Sequence, residues 1–203
     1  SNSSVFKSNT TIISFNELQY FTGLTSIEAN AFTGCTHLAS ITLPNAITSV
    51  GVSAFGNCYS LTAFTIPTSV TTLNTNSFAN CSGLTSIHIP ASVTSIGQNP
   101  FAGCSGLESI TVDEGNTRFT DGGCNVIVQN NNHYLISGCK NSVIPEDVVR
   151  ISTMAFNMCT GLTSIVIPNS VTYIGISAFQ ECTGLTSVTI GSGVTTISAR
   201  AFR

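Results

Sequence analysis

Residues 162–184 read LTSIVIPNSVTYIGISAFQECTG, and this stretch is one complete copy of a unit that recurs along the chain. Its Ala-Phe pair has counterparts at a spacing of 23 residues, with one longer interval in the middle: Ala31-Phe32, Ala54-Phe55, Ser77-Phe78, Pro100-Phe101, Ala155-Phe156, Ala178-Phe179 and Ala201-Phe202. A cysteine follows six of these phenylalanines by three residues: Cys35, Cys58, Cys81, Cys104, Cys159 and Cys182. A fixed period of roughly 20–50 residues is typical of repeat proteins, so the chain is predicted to be a solenoid.

The first half of each unit predicts a β-strand. In the copy at residues 84–90, Ile87 and Ile89 flank His88, which is the period-two alternation of a short strand with one buried face. Pro90 ends this strand, because proline has no N–H to donate to the next rung of hydrogen bonds. Strands of successive coils stack about 4.8 Å apart. These strands are therefore expected to form a parallel sheet along one face of the solenoid. The V-T-x-I stretch that follows each strand is interpreted as a linking segment.

Stacking of coils provides the core of the predicted fold. Each coil turns its Leu, Ile, Val, Phe and Cys residues inward, and no coil can bury these side chains alone. The predicted coils are residues 15–37, 38–60, 61–83, 84–106, 107–138, 139–161, 162–184 and 185–203, preceded by an N-terminal tail or cap at residues 1–14. The prediction is a single domain over residues 15–203. Its fold class is a repeat solenoid, a right-handed coil with a parallel β-sheet face, 23-residue repeats, few or no α-helices and one β-hairpin insertion.

The coil at residues 107–138 breaks the period, because the next repeat arrives 32 residues after Leu107. The apolar segments on either side of residues 130–133 mirror one another, which predicts a hairpin interruption at about residues 124–139 with an Asn-rich turn. We expect the hairpin to project from, or cap, one side of the solenoid. Two interpretations stay open: a distinctive binding contact, since loops carry function, or a tolerated insertion that packs on its neighbours.

The cysteines are interpreted mainly as core residues. Six of the eight occupy one inward position per coil, where a small apolar side chain fits and where parallel side chains have the wrong geometry for a disulfide. Cys124 and Cys139 are the exception, because they flank the hairpin symmetrically and could form a cross-strand bridge. Against the bridge, Cys139 also falls at a strand position that is normally a buried leucine.

The unit resembles the BspA-like (Treponema pallidum type) leucine-rich repeats, with consensus L-x-x-I-x-I-P-x-S-V-T-x-I-G-x-x-A-F-x-x-C. Residues 162–184 match this consensus almost throughout, while Gly191 replaces the proline in the last coil. In the first coil Phe15, Leu18 and Tyr20 stand in for Leu, Ile and Ile. The resemblance implies an adhesive protein of a bacterial or protist surface, with a protein or glycan ligand that could belong to a host extracellular matrix.

The composition argues against several classes of partner. Only 7% of residues are charged, the net charge is −3, and the six Lys and Arg residues are scattered, so no basic stripe follows a nucleic-acid backbone. No apolar run reaches the roughly 20 residues of a membrane-spanning helix. No signal or anchor segment is recognisable, so we expect that any such segment has been removed or lies outside this chain. Phosphate-binding glycine motifs are absent as well, and no cofactor is predicted.

Residues for catalysis are not brought together by the repeat. His37, His88 and His133 occupy three different repeat positions, so no enzyme is predicted. Asp113, Glu114 and Asp121 form the nearest acidic cluster, and two interpretations stay open for it: a calcium site or a solvated loop.

The binding residues are therefore expected on exposed strand positions and on the hairpin turn. The candidates are Glu17, Gln19, Thr42, Thr65, His88 and Thr111 on the strand face, and Asn131, Asn132, His133 and Tyr134 on the turn. The predicted function is a non-catalytic protein-interaction or adhesion domain, located at the cell surface or secreted. The alternative is a structural spacer that displays another domain.

Overall fold

The computed structural model describes residues 6–203, which form a stack of about eight coils with two short strand positions in each regular coil. The strands are β1 Ser14–Phe15, β2 Ser26–Ile27, β3 Ser40–Ile41, β4 Ser49–Val50, β5 Thr72–Leu73, β6 Ser86–Ile89, β7 Ser95–Ile96, β8 Ser109–Val112, β9 Phe119–Thr120, β10 Val126–Gln129, β11 Tyr134–Gly138, β12 Arg150–Ile151, β13 Ser164–Ile167, β14 Tyr173–Ile174, β15 Ser187–Ile190 and β16 Thr196–Ile197. One 3₁₀ helix covers Asn16–Tyr20. The predicted solenoid of parallel strands without α-helices is confirmed for this part of the chain.

The strands form two columns rather than the single sheet face that the sequence predicted. The first column contains the L-x-x-I-x-I strands, which pair in parallel as β1 with β3, β6 with β8 and β13 with β15. The second column contains the V-T-x-I stretches, which pair as β2-β4-β5-β7 and as β12-β14-β16. Each of these second strands is two residues long, which is too short for a period-two pattern to appear in the sequence.

The phenylalanines stack ring on ring through the core. Phe32, Phe55 and Phe78 lie 5.3 Å apart between ring centroids, and Phe6 extends this stack by a further 5.3 Å. A second stack contains Phe156, Phe179 and Phe202, at 4.9 and 5.0 Å. The irregular coil separates the two stacks, because it has Cys124 in place of a phenylalanine.

The repeated cysteines donate hydrogen bonds as well as filling space. The thiols of Cys58, Cys81 and Cys104 donate to the carbonyl of the phenylalanine in the preceding coil, at 3.1–3.2 Å. Cys182 makes the same contact with the Phe156 carbonyl at 3.0 Å. Burial raises the pKa of Cys58 and that of Cys159 to about 12, so these thiols stay protonated at neutral pH.

The hairpin lies inside the second column instead of projecting from it, so that expectation is wrong. Strands β10 and β11 pair antiparallel, and the sheet order is β9-β10-β11-β12-β14-β16. The apolar side chains of the hairpin explain this position. Ile127 packs into the core of the N-terminal coils, whereas Val126 and Val128 pack into the core of the C-terminal coils, and all three are buried. The exposed residues of the hairpin are Asn130, Asn131 and His133, which lie in its turn.

Cys124 and Cys139 are both free thiols, so the proposed cross-strand bridge is absent from the structure. The register of the hairpin gives the reason. Val126 pairs with Gly138, and the Cys139 thiol contacts the Asn125 carbonyl at 3.6 Å, one residue away from Cys124. The Cys124 thiol donates to the Gly122 carbonyl at 3.3 Å instead.

Residues before the first full coil pack on the N-terminal end of the stack. Ser8 donates its backbone N–H to the Thr33 carbonyl at 2.7 Å, and the Phe6 carbonyl accepts from the Cys35 thiol at 3.0 Å. Residues 1–5 of the predicted tail or cap lie outside the described residues. Within residues 6–203, the structure contains no helix that is both long and apolar enough to cross a membrane.

Candidate binding surface

Glu17 and Gln19 do not lie on a strand, which corrects their predicted place on the strand face. Both residues are exposed on the 3₁₀ helix Asn16–Tyr20, and the strand that pairs with β3 is Ser14–Phe15. The helix forms because Leu18 turns into the core, and the Gln19 amide donates to the Asn16 carbonyl at 3.0 Å. The first coil therefore presents a helix turn beside the first column.

Thr42 and Thr65 lie on neighbouring coils and line one shallow cleft of about 160 Å³ in the first column. Residues 61–66 form no strand, although Leu61, Phe64 and Ile66 stay buried. The Thr42 hydroxyl donates to the Asn16 side chain at 3.1 Å. This part of the first column is small and polar, and it brings together two of the predicted residues.

His88 and Thr111 are neighbours in the first column, as the repeat predicted. They are paired in the register of β6 and β8, and the His88 Nδ1 lies 3.0 Å from the Thr111 hydroxyl. The other ring nitrogen lies 3.9 Å from an Asp113 carboxylate oxygen. All three side chains are exposed or half-buried, so this cluster is an open polar patch.

The hairpin turn uses its polar side chains mainly to hold its own shape. The Asn132 side chain donates to Gln129 at 3.0 Å and accepts the Tyr134 backbone N–H at 3.1 Å. His133 has a left-handed backbone, with φ of 56°, and its Nδ1 lies 2.9 Å from the Asp147 carboxylate. Asn131 is exposed, and Tyr134 is half-buried at the start of β11.

Tyr134, Arg150 and Tyr173 form a row across β11, β12 and β14, which we call the Tyr–Arg–Tyr row. The strand register pairs Tyr134 with Arg150 and Arg150 with Tyr173. The Arg150 guanidinium carbon lies 3.7 Å from the centroid of the Tyr173 ring and 5.4 Å from that of Tyr134. A guanidinium stacked on aromatic faces is held flat, while its in-plane N–H groups stay free for a ligand.

A cleft of about 300 Å³ opens beside this row. It forms because β7 is the last strand of its sheet and the hairpin strands do not pair with it. Residues Ile96, Gly97 and Gln98 line the cleft from the β7 side, and residues Gln129, Tyr134, Ile136, Arg150, Ser152 and Thr153 line it from the other side. Apolar residues and convergent polar groups therefore occur together here, as in small-ligand sites.

Tyr134 was predicted from the sequence, whereas Arg150 and Tyr173 were not. Both missed residues occupy the variable position of V-T-x-I, which was interpreted as a link. A signal was present, because this position is Ser or Thr in the other regular coils: Ser26, Ser49, Thr72, Ser95 and Thr196. Arg150 and Tyr173 are therefore two large side chains in neighbouring coils, at a repeat position that is otherwise small. The fold does not require large side chains there.

The aspartate side chains of the irregular coil accept hydrogen bonds from the backbone of their own loop and of the preceding strand. The two Asp121 carboxylate oxygens accept from the backbone N–H groups of Val112 at 2.6 Å and Gly123 at 2.7 Å. Asp113 accepts from the Gly115 N–H at 2.8 Å. Among residues 6–203, no three His, Cys, Asp or Glu side chains are grouped so that they could hold a metal ion.

The stacked coils, the L-x-x-I-x-I strands and the phenylalanine stacks define a leucine-rich-repeat protein. The sequence matches the BspA type leucine-rich repeat region in six copies, over residues 2–123 and 127–203. The chain therefore belongs to the BspA-type leucine-rich-repeat family, which confirms the resemblance seen in the repeat. No curated protein matches the chain.

Solved bacterial structures share the fold. A leucine-rich cell-surface protein of Faecalibacterium prausnitzii is 32% identical, with a TM-score of 0.69, and the match covers 85% of this chain and 52% of that one. The pneumococcal vaccine antigen PcpA is 26% identical, with a TM-score of 0.72, over 84% of this chain and 44% of that one. A leucine-rich-repeat protein of Eubacterium ventriosum shares the fold at 23% identity and a TM-score of 0.60, over 88% and 60%. The chain thus spans about half the length of the first two proteins.

Proposed function

We propose that this chain is a non-catalytic interaction domain of a bacterial cell-surface or secreted protein, and that it recognises a protein or glycan ligand, such as a component of a host extracellular matrix. The family supports this proposal, and so does the description of the Faecalibacterium relative as a cell-surface protein. A solenoid also suits the role, because stacked coils present a long rigid surface that loses little conformational entropy on binding.

The Tyr–Arg–Tyr row is the observation that carries the proposal. Tyrosine and arginine are enriched among the residues that dominate binding energies, whereas serine and threonine are not. The exposed positions of both columns are otherwise mostly Ser and Thr, so the row is the part of the surface best suited to a strong contact. Exposed residues of the hairpin turn, including Asn131 and His133, directly precede Tyr134 and extend this surface.

The alternative, a spacer that only displays another domain, makes a different prediction. A spacer needs a rigid stack but no particular exposed side chain. It should therefore show no saturable ligand of its own, and changes along either column should leave the activity of its attached domain unaltered.

Binding of the folded chain to a panel of extracellular-matrix proteins and glycans tests the proposal. The key variant is Tyr134→Ala with Tyr173→Ala, and its matched control is Thr72→Ala with Ser95→Ala, at the same repeat position of earlier coils. We expect saturable binding that weakens at least about tenfold in the first variant and stays within about twofold in the control.

Two further variants locate the site if the row is not involved. One changes Thr42, Thr65, His88 and Thr111 of the first column to alanine, and the other changes Asn131 and Asn132 to glycine. Deleting residues 130–138 is unsuitable, because Leu135 and Gly138 are buried. Loss of binding only in one of these two variants would place the site away from the row. No binding by protein shown to be folded would favour the spacer.

A further inference from the structure

We propose that the cleft between β7 and the Tyr–Arg–Tyr row binds the carboxylate of an acidic sugar, with a uronic acid unit as the ligand class. This inference rests on the proposed function and specifies the chemistry of its ligand. It follows from three properties of the cleft: a preorganised cation, uncharged hydrogen-bonding groups without protein partners, and a size that suits one ring.

Arg150 has no ion-pair partner within residues 6–203. Its guanidinium also donates no hydrogen bond to this part of the chain. The ring of Tyr173, 3.7 Å away, holds the guanidinium in place, so its donors are oriented before a ligand arrives. A planar guanidinium can bind a carboxylate through two parallel, charge-assisted hydrogen bonds, which are stronger than hydrogen bonds between neutral groups.

The charge of the cleft favours an anionic ligand. Arg150 is the single charged residue among those that line it, although the whole chain has a net charge of −3. Asp147 is not among the residues that line the cleft, and its carboxylate lies 2.9 Å from the His133 ring. A ligand carboxylate would therefore meet one unpaired positive charge and no competing negative charge on the cleft wall.

The uncharged groups of the cleft favour a sugar over an acidic peptide side chain. The side chains of Gln98, Ser152 and Thr153 line the cleft and make no hydrogen bond within residues 6–203, while the Gln129 side chain accepts one bond from Asn132. Amides and hydroxyls both donate and accept, as sugar hydroxyls do. An aspartate or glutamate side chain could bind Arg150 but has no hydroxyl groups to pair with these side chains.

The size of the cleft limits the ligand to about one ring. Its volume of about 300 Å³ lies at the small end of the range for small-ligand sites. The apolar side chains of Ile96 and Ile136 and the ring of Tyr134 supply a surface for the carbon face of a sugar. One acidic unit of a longer polysaccharide or glycan chain would fill the cleft, with the neighbouring units lying along the second column.

Titration of the full chain with a tetramer of galacturonic acid tests the inference, using ligand-observed NMR or calorimetry. The matched ligand is the same tetramer with its carboxylates converted to methyl esters, which keeps the rings and removes the charge. We expect the acidic tetramer to bind at least about tenfold more tightly than the ester. Binding should also weaken as salt is raised, because the carboxylate–guanidinium contact is screened.

Arg150→Gln is the decisive variant, and Arg118→Gln is its control, because Arg118 is an exposed arginine of the same sheet region outside the cleft. We expect Arg150→Gln to weaken binding of the acidic tetramer at least about tenfold and to bring it to the level of the ester. Arg118→Gln should change it less than about twofold. A second variant, Gln98→Ala, removes an exposed lining residue away from the stacked rings and should weaken both tetramers alike.

The outcomes separate this inference from the proposed function. Equal binding of acid and ester, or no effect of Arg150→Gln in folded protein, would overturn the inference while leaving a positive panel result intact. Binding of a hexaglutamate peptide, without binding of the tetramer, would assign the cleft to an acidic protein partner and overturn the assignment to an acidic sugar. If the folded chain binds neither any member of the panel nor the acidic tetramer, both proposals are overturned.

Discussion

Asn99 and Met154 are joined by a hydrogen bond from the Asn99 side-chain amide to the Met154 carbonyl, although 55 residues separate them in the sequence. The same Asn99 side chain accepts the Ser137 hydroxyl at 3.1 Å, and Asn99 is only 2% exposed. Gly103 also donates its N–H to the Asn157 carbonyl, at 3.4 Å. At this edge the coil at residues 84–106 therefore contacts the coil at 139–161 directly, as well as strand β11 of the irregular coil between them.

Asn99→Ala should destabilise the chain by about 1–3 kcal/mol, because it leaves the buried Ser137 hydroxyl without a partner and removes one of the two hydrogen bonds to the Met154 carbonyl. Urea unfolding followed by circular dichroism measures this change. Asn45→Ala is the control, because Asn45 is exposed and should contribute less than about 0.5 kcal/mol. Equal midpoints for the two variants would show that the contact between the two halves is unimportant for stability.

Gly138→Ala should destabilise the chain by about 1–3 kcal/mol or more through overpacking. A Cβ at Gly138 would lie 2.1 Å from an atom of the Phe156 ring, which is itself buried. Gly23→Ala is the matched control, because nothing lies within 4 Å of a Cβ at that position. Thermal melts of both variants decide the matter, and a loss at Gly138 no larger than at Gly23 would mean that the hairpin is not seated against Phe156.

Phe78→Ala should cost about 3–5 kcal/mol, because a fully buried ring in the middle of the stack would leave a cavity. Phe202→Ala should cost much less, since Phe202 is 39% exposed at the end of the second stack. Chemical unfolding of the two variants compares the same substitution at a central and a terminal coil. A central loss below about 1 kcal/mol would contradict the role of the phenylalanine stack.

Stability should fall as the pH rises above about 9, because the buried thiols resist ionisation. The pKa of Cys58 is raised by burial from 9.0 to about 12 in the folded chain, so the unfolded chain loses this proton first. The stabilisation is complete below pH 9 and is lost as the pH approaches 12. Unfolding free energies measured between pH 8 and 11 should decline less steeply in Cys58→Ala than in the native chain. A Thr72→Ala control should keep the native slope, because it removes no ionisable group.

Much of the fold was predictable because the repeat is a local sequence pattern, and each 23-residue unit contains it in full. The spacing of Phe55 and Phe78 by one coil fixes their stacking, and the alternation of Ile87, His88 and Ile89 identifies a strand. The second strand column was missed because a pair such as Thr72–Leu73 is too short to show a period. In the first coil, the register of Phe15 with Ile41 replaced the expected strand through Leu18 and moved Glu17 onto a helix turn.

The sequence by itself determined the solenoid, the inward phenylalanines and the existence of a hairpin, because each depends on a local pattern repeated along the chain. Only the tertiary structure decided that the hairpin is buried between two cores, and that Cys139 faces Asn125 rather than Cys124. It also decided the Tyr–Arg–Tyr row, since Tyr134, Arg150 and Tyr173 become neighbours only when β11, β12 and β14 pair. Pairing register and side-chain packing depend on contacts between distant residues, and no local pattern encodes these contacts.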